Sequence, residues 1–369
     1  MQPENTKGNN MTFSQQDEQF MRHALELAWQ GRFSTSPNPR VGCVIVRGEQ
    51  IVGQGFHVCA GEPHAEVHAL RQAGELARGA TAYVTLEPCS HYGRTPPCAK
   101  GLIEAGVARV VAAMQDPNPL VSGKGLAMLT EAGIAVQHGL YEAEARELNR
   151  GFLSRIERER PFVRVKVAIS LDGKTALADG RSFWITGAAA RHDVQVLRAE
   201  SCAVLTGIGT ILADNPRLNV RDFETIRQPI RVVLDSIFRL PESANVVQDG
   251  GQTWVFSLAD APDWVAKYAN VRVFRLPENR DLTQVLQILA RENVGELLVE
   301  AGSTVVSEFV KQDLADELVI YQAPKLLGET GKQAFRLPEN AQVLAQDGDW
   351  RTVSLETVGD DVKWVLRRR

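Results

Sequence analysis

The sequence predicts two α/β domains in series, and three observations carry that prediction. Apolar stretches of strand length alternate with segments of helical period through both halves, which favours mostly parallel sheets with helices on both faces. A charged helix, about Tyr141–Glu159, runs into Arg158-Glu159-Arg160 and then Pro161, and that combination marks the best domain boundary. The length of 369 residues suits two or three domains at about 150 residues each. The expected division is a disordered tail over 1–12, a first domain over 13–158 and a second over 159–369.

Each element has a local reason. Ser14 with Asp17 resembles a capping box, and Phe20, Ala24, Leu27 and Ala28 then recur at helical spacing up to Gly31. Strand Val41–Val46 turns through Arg47–Gln50 into strand Ile51–Phe56. A helix follows over about His64–Ala77, then strand Ala82–Leu86 and a loop rich in Pro, Cys and Gly, Glu87–Pro97. After a short helix come strand Val107–Met114, helix Gly125–Ala132 and strand Ile134–Gln137. The second half opens with strand Phe162–Ser170 and a helix near Ala188–Glu200. Strands Ala203–Thr206, Ile230–Asp235, Thr253–Phe256 and Val271–Phe274 follow, then helix Asp281–Glu292 and strand Glu296–Glu300. Helix Thr304–Leu314 and strand Leu318–Gln322 lead to a C-terminal pair of strands hinged at Gly359-Asp360-Asp361.

Composition narrows the function. At 44% apolar and 23% charged residues the chain is ordinary for a globular protein, which excludes a fibrous or disordered one. No apolar run approaches the roughly 18 residues of a membrane span. The first ten residues lack a signal-peptide core. The formal charge of −4 argues against nucleic acid as main partner, because phosphate neutralisation needs a basic excess. Five cysteines, Cys43, Cys59, Cys89, Cys98 and Cys202, do not form a disulfide framework. Reduced thiols in a cytoplasm fit better and are available to metals.

The strongest chemical signal is His64-Ala65-Glu66 opening a helix, with Pro88-Cys89 and Cys98 downstream. Zinc takes imidazole and thiolate ligands, and a catalytic site keeps three protein ligands and an open fourth position. His64, Cys89 and Cys98 supply three, and Glu66, two residues after His64 at the start of a helix, can sit beside the metal without coordinating it. The alternative is a closed structural zinc with Glu66 or His91 as fourth ligand. His68 and Cys43 read as structural, and Cys59 fits no ligand spacing.

This pattern resembles the zinc-dependent cytidine-deaminase superfamily, whose signature is H-x-E…P-C-x-x-C. Here the second cysteine comes nine positions after the first, in Pro88-Cys-Ser-His-Tyr-Gly-Arg-Thr-Pro-Pro-Cys98. That loop, with Pro37-Asn-Pro39 and Gly61-Glu-Pro-His-Ala-Glu66, is similar to the deaminase half of the bifunctional riboflavin-biosynthesis deaminase–reductases. The second half resembles their reductase half through Val167-Ala-Ile-Ser-Leu-Asp-Gly-Lys174, Ser182-Phe-Trp-Ile-Thr186 and Leu212-Ala-Asp-Asn-Pro-Arg-Leu-Asn-Val-Arg221. Val299-Glu-Ala-Gly302 and Ala323-Pro-Lys-Leu-Leu-Gly328 add to it.

The resemblance implies a cytidine-deaminase-like three-layer α/β/α domain followed by a dihydrofolate-reductase-like α/β domain. It implies hydrolytic deamination of 2,5-diamino-6-(5-phosphoribosylamino)pyrimidin-4-one with one zinc ion, then NADPH-dependent reduction of the ribosyl chain to ribityl. It assigns the phosphorylated pyrimidine to Asn38, His57 and Arg94 in the first half; the alternatives are Asn38 as the shaper of a Pro-Asn-Pro turn and Arg94 as a solvated charge. In the second half it assigns substrate to Lys166, Ser182, Arg198, Leu218, Arg221 and Glu300. It assigns NADPH to Ala168, Trp184, Thr210, Asp214, Ser236, Gly302, Ser303, Thr304, Val305, Val306, Ser307 and Glu308. Gly207 and Gly209 begin a dinucleotide fingerprint, but Leu212 holds its third glycine position, so that weak match fails. A cytoplasmic homodimer with neither nucleic-acid nor membrane partner is expected. The competing functions are a tRNA base deaminase with an appended binding domain and a zinc-stabilised scaffold.

Overall fold

Helix α1 (Gln15–Gln30) starts on a reciprocal cap: Ser14 Oγ accepts from the Asp17 N–H at 3.1 Å, and the Asp17 carboxylate accepts from the Ser14 N–H at 2.9 Å. The computed structural model describes residues 13–91, 96–119, 121–182, 184–277, 281–339 and 349–369. The tail expected over 1–12 lies outside them. The chain divides after Glu157 into two compact units.

The first unit is built on five strands: β1 (Gly42–Arg47), β2 (Gln50–Phe56), β3 (Thr81–Val84), β4 (Arg109–Ala112) and β5 (Ala135–His138). Their order is β2-β1-β3-β4-β5. Alternation along β1 sends Cys43 and Ile45 to one face and Val44 and Val46 to the other. The first face packs α2 (Ala65–Ala73), α3 (Cys98–Ala105) and α4 (Lys124–Glu131). The second packs α1, α5 (Glu142–Leu148) and α6 (Arg150–Glu157). The result is the three-layer α/β/α sandwich expected.

Two details differ from the sequence expectation. The sheet is mixed: β2–β1 and β1–β3 are antiparallel, while β3–β4 and β4–β5 are parallel. The β1–β2 hairpin is the turn expected at Arg47–Gln50, and β3 also runs antiparallel to β1, so only the β3–β4–β5 half of the sheet is parallel. The helix over Tyr141–Glu159 is also two helices, broken at Asn149. There the buried Asn149 amide accepts from the Arg40 N–H at 2.7 Å and donates to the Arg40 carbonyl at 3.0 Å, a tie across 109 positions.

In the second unit the strands are β6 (Phe162–Ser170), β7 (Lys174–Ala176), β8 (Ala203–Gly207), β9 (Ile230–Leu234), β10 (Thr253–Ser257) and β11 (Val271–Arg275). After them come β12 (Glu296–Val299), β13 (Glu317–Ala323), β14 (Lys332–Gln333), β15 (Trp350–Val358) and β16 (Asp361–Arg368). Nine of these form one sheet in the order β11-β10-β9-β8-β12-β6-β13-β16-β15. All pairings from β11 to β13 are parallel, and β16 and β15 add antiparallel at one edge. Helices α7 (Ala188–Glu200), α8 (Ile208–Asp214) and α9 (Asn245–Gln248) cover one face; α10 (Leu282–Arg291) and α11 (Ser303–Lys311) cover the other. The small β7–β14 sheet was not anticipated, because its two strands lie far apart in sequence. No helix among the described residues is long and apolar enough to cross a membrane.

Candidate active sites

In the first unit three donor atoms converge. His64 N-caps α2 and Cys98 is the first residue of α3, so two helix starts meet at Cys89 in the loop after β3. His64 Nδ1 lies 3.7 Å from Cys89 Sγ and 3.3 Å from Cys98 Sγ, and all three ligand atoms lie within 4.8 Å of one another. Donors around a tetrahedral zinc stand roughly 3.5–3.8 Å apart, so the set fits one such ion in number, chemistry and spacing.

The electrostatics fit as well. A hydrogen bond from the Cys98 thiol, together with the His64 imidazole, holds the Cys89 thiol well below its usual range. The Cys98 thiol is pushed up by Cys89 and by burial. Bonding to Cys89 also raises His64. Glu66, in the first turn of α2, is 3% exposed, and burial followed by the Cys89 charge pushes its carboxyl up to about 7. Its Oε2 is buried without a hydrogen-bond partner among the described residues, a position that invites a further group.

Other predicted residues stand close by. His57, only 2% exposed, has its ring centroid 5.3 Å from that of His64. Its Nδ1 faces the Pro63 carbonyl at 3.1 Å, and since a carbonyl only accepts, Nδ1 carries the proton. Nε2 is then the acceptor for the Asn38 amide at 3.0 Å. Burial lowers the His57 pKa, consistent with a neutral ring. Arg94 lies outside the described residues. Cys43 is fully buried on β1, and His91 is exposed. Sequence reasoning left Glu87 as an unremarkable loop residue, yet it is 3% exposed and accepts from four backbone N–H groups.

In the second unit Thr210, Asp214, Ser236, Glu300 and Gly302 follow the C-terminal ends of the parallel strands β8, β9 and β12, where open α/β sheets bind ligands. The register pairs Val299 with Val165, so Glu300, just past β12, comes level with Lys166 on β6. Glu300 binds Arg198 of α7 through two bonds, 2.6 and 2.9 Å, and Arg198 also donates to the Asn219 carbonyl at 3.1 Å. Burial alone would push the Glu300 carboxyl up; Arg198 and Lys166 override it and hold it below the usual range. Burial lowers Lys166. Leu218, buried at φ 54, and the exposed Arg221 share the loop after α8, and the Arg221 N–H donates to Gln195.

Thr210 and Asp214 lie on α8, Ser236 follows β9 and Ala168 lies on β6. Trp184 is 59% exposed, with the Arg191 guanidinium 4.5 Å from its ring centre, and Ser182 is half-buried near it in sequence. Gly302 N-caps α11 without a side-chain cap, leaving first-turn amides of the kind that hold phosphate. Within Gly302–Glu308, Val306 is fully buried and the buried Ser307 hydroxyl accepts from the Arg336 N–H at 2.7 Å. Glu308 pairs with Lys311 at 3.0 Å. Gly302, Ser303 and Thr304 form the open part of that segment, while Val305 packs against the core.

The two units thus combine a His-Cys-Cys-Glu centre on a three-layer sandwich with a parallel-sheet domain bearing a phosphate-type helix start: a two-domain enzyme of the zinc-dependent deaminase and reductase classes. Residues 14–114 match the family of the cytidine and deoxycytidylate deaminase zinc-binding region, and residues 161–364 match the RibD C-terminal domain. The chain belongs to the RibD family of bifunctional riboflavin-biosynthesis enzymes, with a zinc-binding deaminase domain and an NADPH-dependent reductase domain. It is 50% identical to riboflavin biosynthesis protein RibD of Escherichia coli strain K12, over 94% of this chain and 98% of that one. The Haemophilus influenzae RibD is 48% identical, over 96% and 98%.

Among solved structures, Acinetobacter baumannii RibD superposes with a TM-score of 0.91 at 46% identity, covering 96% of this chain and 99% of that one. A Thermotoga maritima diaminohydroxyphosphoribosylaminopyrimidine deaminase/5-amino-6-(5-phosphoribosylamino)uracil reductase gives 0.86 at 35% identity, over 96% and 99%. These matches bear out the cytidine-deaminase-like and dihydrofolate-reductase-like folds and small pyrimidine substrates. They set aside the tRNA deaminase, because the second half is a reductase domain and not an appended nucleic-acid binder.

Proposed function

We propose that His64, Cys89 and Cys98 hold the zinc and that Glu66 is the proton carrier of the deamination. The observation that carries this is the convergence of three metal donors beside a buried carboxylate oxygen that has no hydrogen-bond partner among the described residues. Bound there, zinc supplies a Lewis acid that lowers the pKa of a coordinated water. Glu66 Oε2 takes a proton from the attacking water and passes it to the ring and then to the departing ammonia. Without that delivery the tetrahedral adduct at pyrimidine C2 expels the oxygen and reverts. Asn38, fixed through its bond to the neutral His57, presents its carbonyl oxygen as an acceptor for a substrate N–H, and Arg94 takes the phosphate.

In the domain over 159–369, Ala168, Trp184, Thr210, Asp214, Ser236 and the open start of α11 at Gly302–Thr304 hold NADPH, which supplies the hydride when bound. Lys166, Ser182, Leu218, Arg221 and the Arg198–Glu300 pair face the phosphorylated sugar, the pair acting by orientation because its groups already bind each other. The chain acts as a homodimer in the cytoplasm, without a nucleic-acid partner; the formal charge of −4 and free cysteines support that setting.

Glu66→Gln tests the deaminase assignment. The variant is expected to keep its zinc, measured by metal analysis, and to lose deamination by about 10²–10⁴-fold, the usual contribution of a proton carrier. Loss of the metal together with activity would instead make Glu66 a ligand of a closed site.

A further inference from the structure

Glu87 immediately precedes the Pro88-Cys89 ligand peptide and is nearly inaccessible, at 3% exposure. Its carboxylate is filled by backbone donors from one remote segment. Oε1 accepts from Gly125 at 2.8 Å and Leu126 at 3.3 Å, and Oε2 accepts from Asp116 at 3.1 Å and Gly123 at 3.0 Å. Two of these donors belong to the first turn of α4, whose N–H groups have no partner within the helix. The same turn presses on the ligand peptide: a Cβ on Gly125 would stand 2.0 Å from the Pro88 carbonyl oxygen. On its other side Cys89 is tied to α3, its carbonyl accepting from the Ala99 N–H and its sulfur from the Cys98 N–H, each at 3.2 Å.

Cys89 is therefore gripped from α3 on one side and, through Glu87, from α4 on the other. We propose that Glu87 is a positioning residue for the metal centre: by gathering the N–H groups of Asp116, Gly123, Gly125 and Leu126 it sets the Pro88-Cys89 peptide in ligating position before metal binds. The inference rests on reading His64, Cys89 and Cys98 as the zinc ligands. A glutamine conserves the volume of Glu87 but turns one end of the clamp from acceptor to donor, aiming two N–H groups at two N–H groups.

The test uses the zinc-loaded full chain and a chromophoric chelator. Glu87→Gln is expected to weaken zinc binding about 10–100-fold, the usual effect of a group that orients a ligand. Asp17→Asn, at a buried carboxylate on the opposite face of the same sheet, serves as the stability control: it lowers the Tm and leaves zinc affinity unchanged. Zinc affinity in Glu87→Gln equal to that of the wild type, or reduced no more than in Asp17→Asn, overturns the proposal.

A wild-type measurement does not depend on any variant folding. Hydrogen exchange at Gly123, Gly125 and Leu126 is expected to stay slow after zinc is stripped, since the clamp precedes the metal. Fast exchange on stripping would mean that the metal orders the segment, and would overturn the proposal. A wild-type chain that takes up no zinc overturns the ligand reading itself and the inference with it, whereas normal uptake with an unaffected Glu87→Gln overturns the inference alone.

Discussion

Removing the Glu300 carboxylate is expected to damage the second domain severely and leave the first intact. Glu300 and Arg198 have side chains only 10% exposed, and their two bonds of 2.6 and 2.9 Å make a fork-to-fork pair. In Glu300→Ala the Arg198 guanidinium stays buried without its counter-charge, and Lys166 loses the same carboxylate. Breaking a buried pair from one side costs about 3–5 kcal/mol, far above the value of an exposed pair. For a domain of this size that corresponds to a fall of roughly 6–20 °C in the Tm of its transition. The assay is thermal unfolding of the full chain, followed domain by domain with deamination and NADPH oxidation as separate activity readouts. Arg198→Met with Glu300→Leu, which removes both charges, is expected to recover most of the loss, because the penalty lies in the stranded charge and not in the missing attraction. A cost below about 1 kcal/mol for Glu300→Ala, or a double variant as unstable as the sum of the singles, would refute the reasoning.

Three further outcomes are expected. Gly42→Ala would place a Cβ 2.0 Å from the Ala24 carbonyl oxygen, forcing α1 off β1; about 1–3 kcal/mol of destabilisation should appear in the first domain's unfolding transition. Burial raises the Asp17 carboxyl, but Arg109, the Ser14 N–H and the Tyr83 hydroxyl override it and hold it well below the usual range. Its contribution is thus present above the unfolded value near 4 and lost as pH falls toward the depressed one, so Asp17→Asn should flatten the acid limb of a Tm-against-pH profile. Stripping zinc with a chelator should abolish deamination while reduction of the deaminated intermediate by NADPH proceeds at its normal rate.

Much of the fold was legible because its causes are local. The Ser14–Asp17 cap, the Gly359 hairpin and the turn at Arg47–Gln50 are each written within a few residues, and each is found in the structure. The metal centre was legible for a related reason: a His at a helix start and a Pro-Cys after a strand fix their own backbone context. What escaped lies in distant partners. Asn149 breaks a helix through bonds to Arg40, and nothing near position 149 announces it. Glu87 looked like loop because all four of its donors sit 29 to 39 positions downstream. The resemblance gives Arg198 and Glu300 as separate substrate contacts, and only the fold reveals that they bind each other.

The most direct measurement is mass spectrometry of 2,5-diamino-6-(5-phosphoribosylamino)pyrimidin-4-one after incubation with the zinc-loaded chain and NADPH. The account predicts a product in which one amino group has become oxygen and two hydrogens have been gained. Glu66→Gln should stop the first change, and Glu300→Ala should stop only the second. Reduction that proceeds while deamination is blocked at the first site, or a substrate returned unchanged by the wild-type chain, would contradict it.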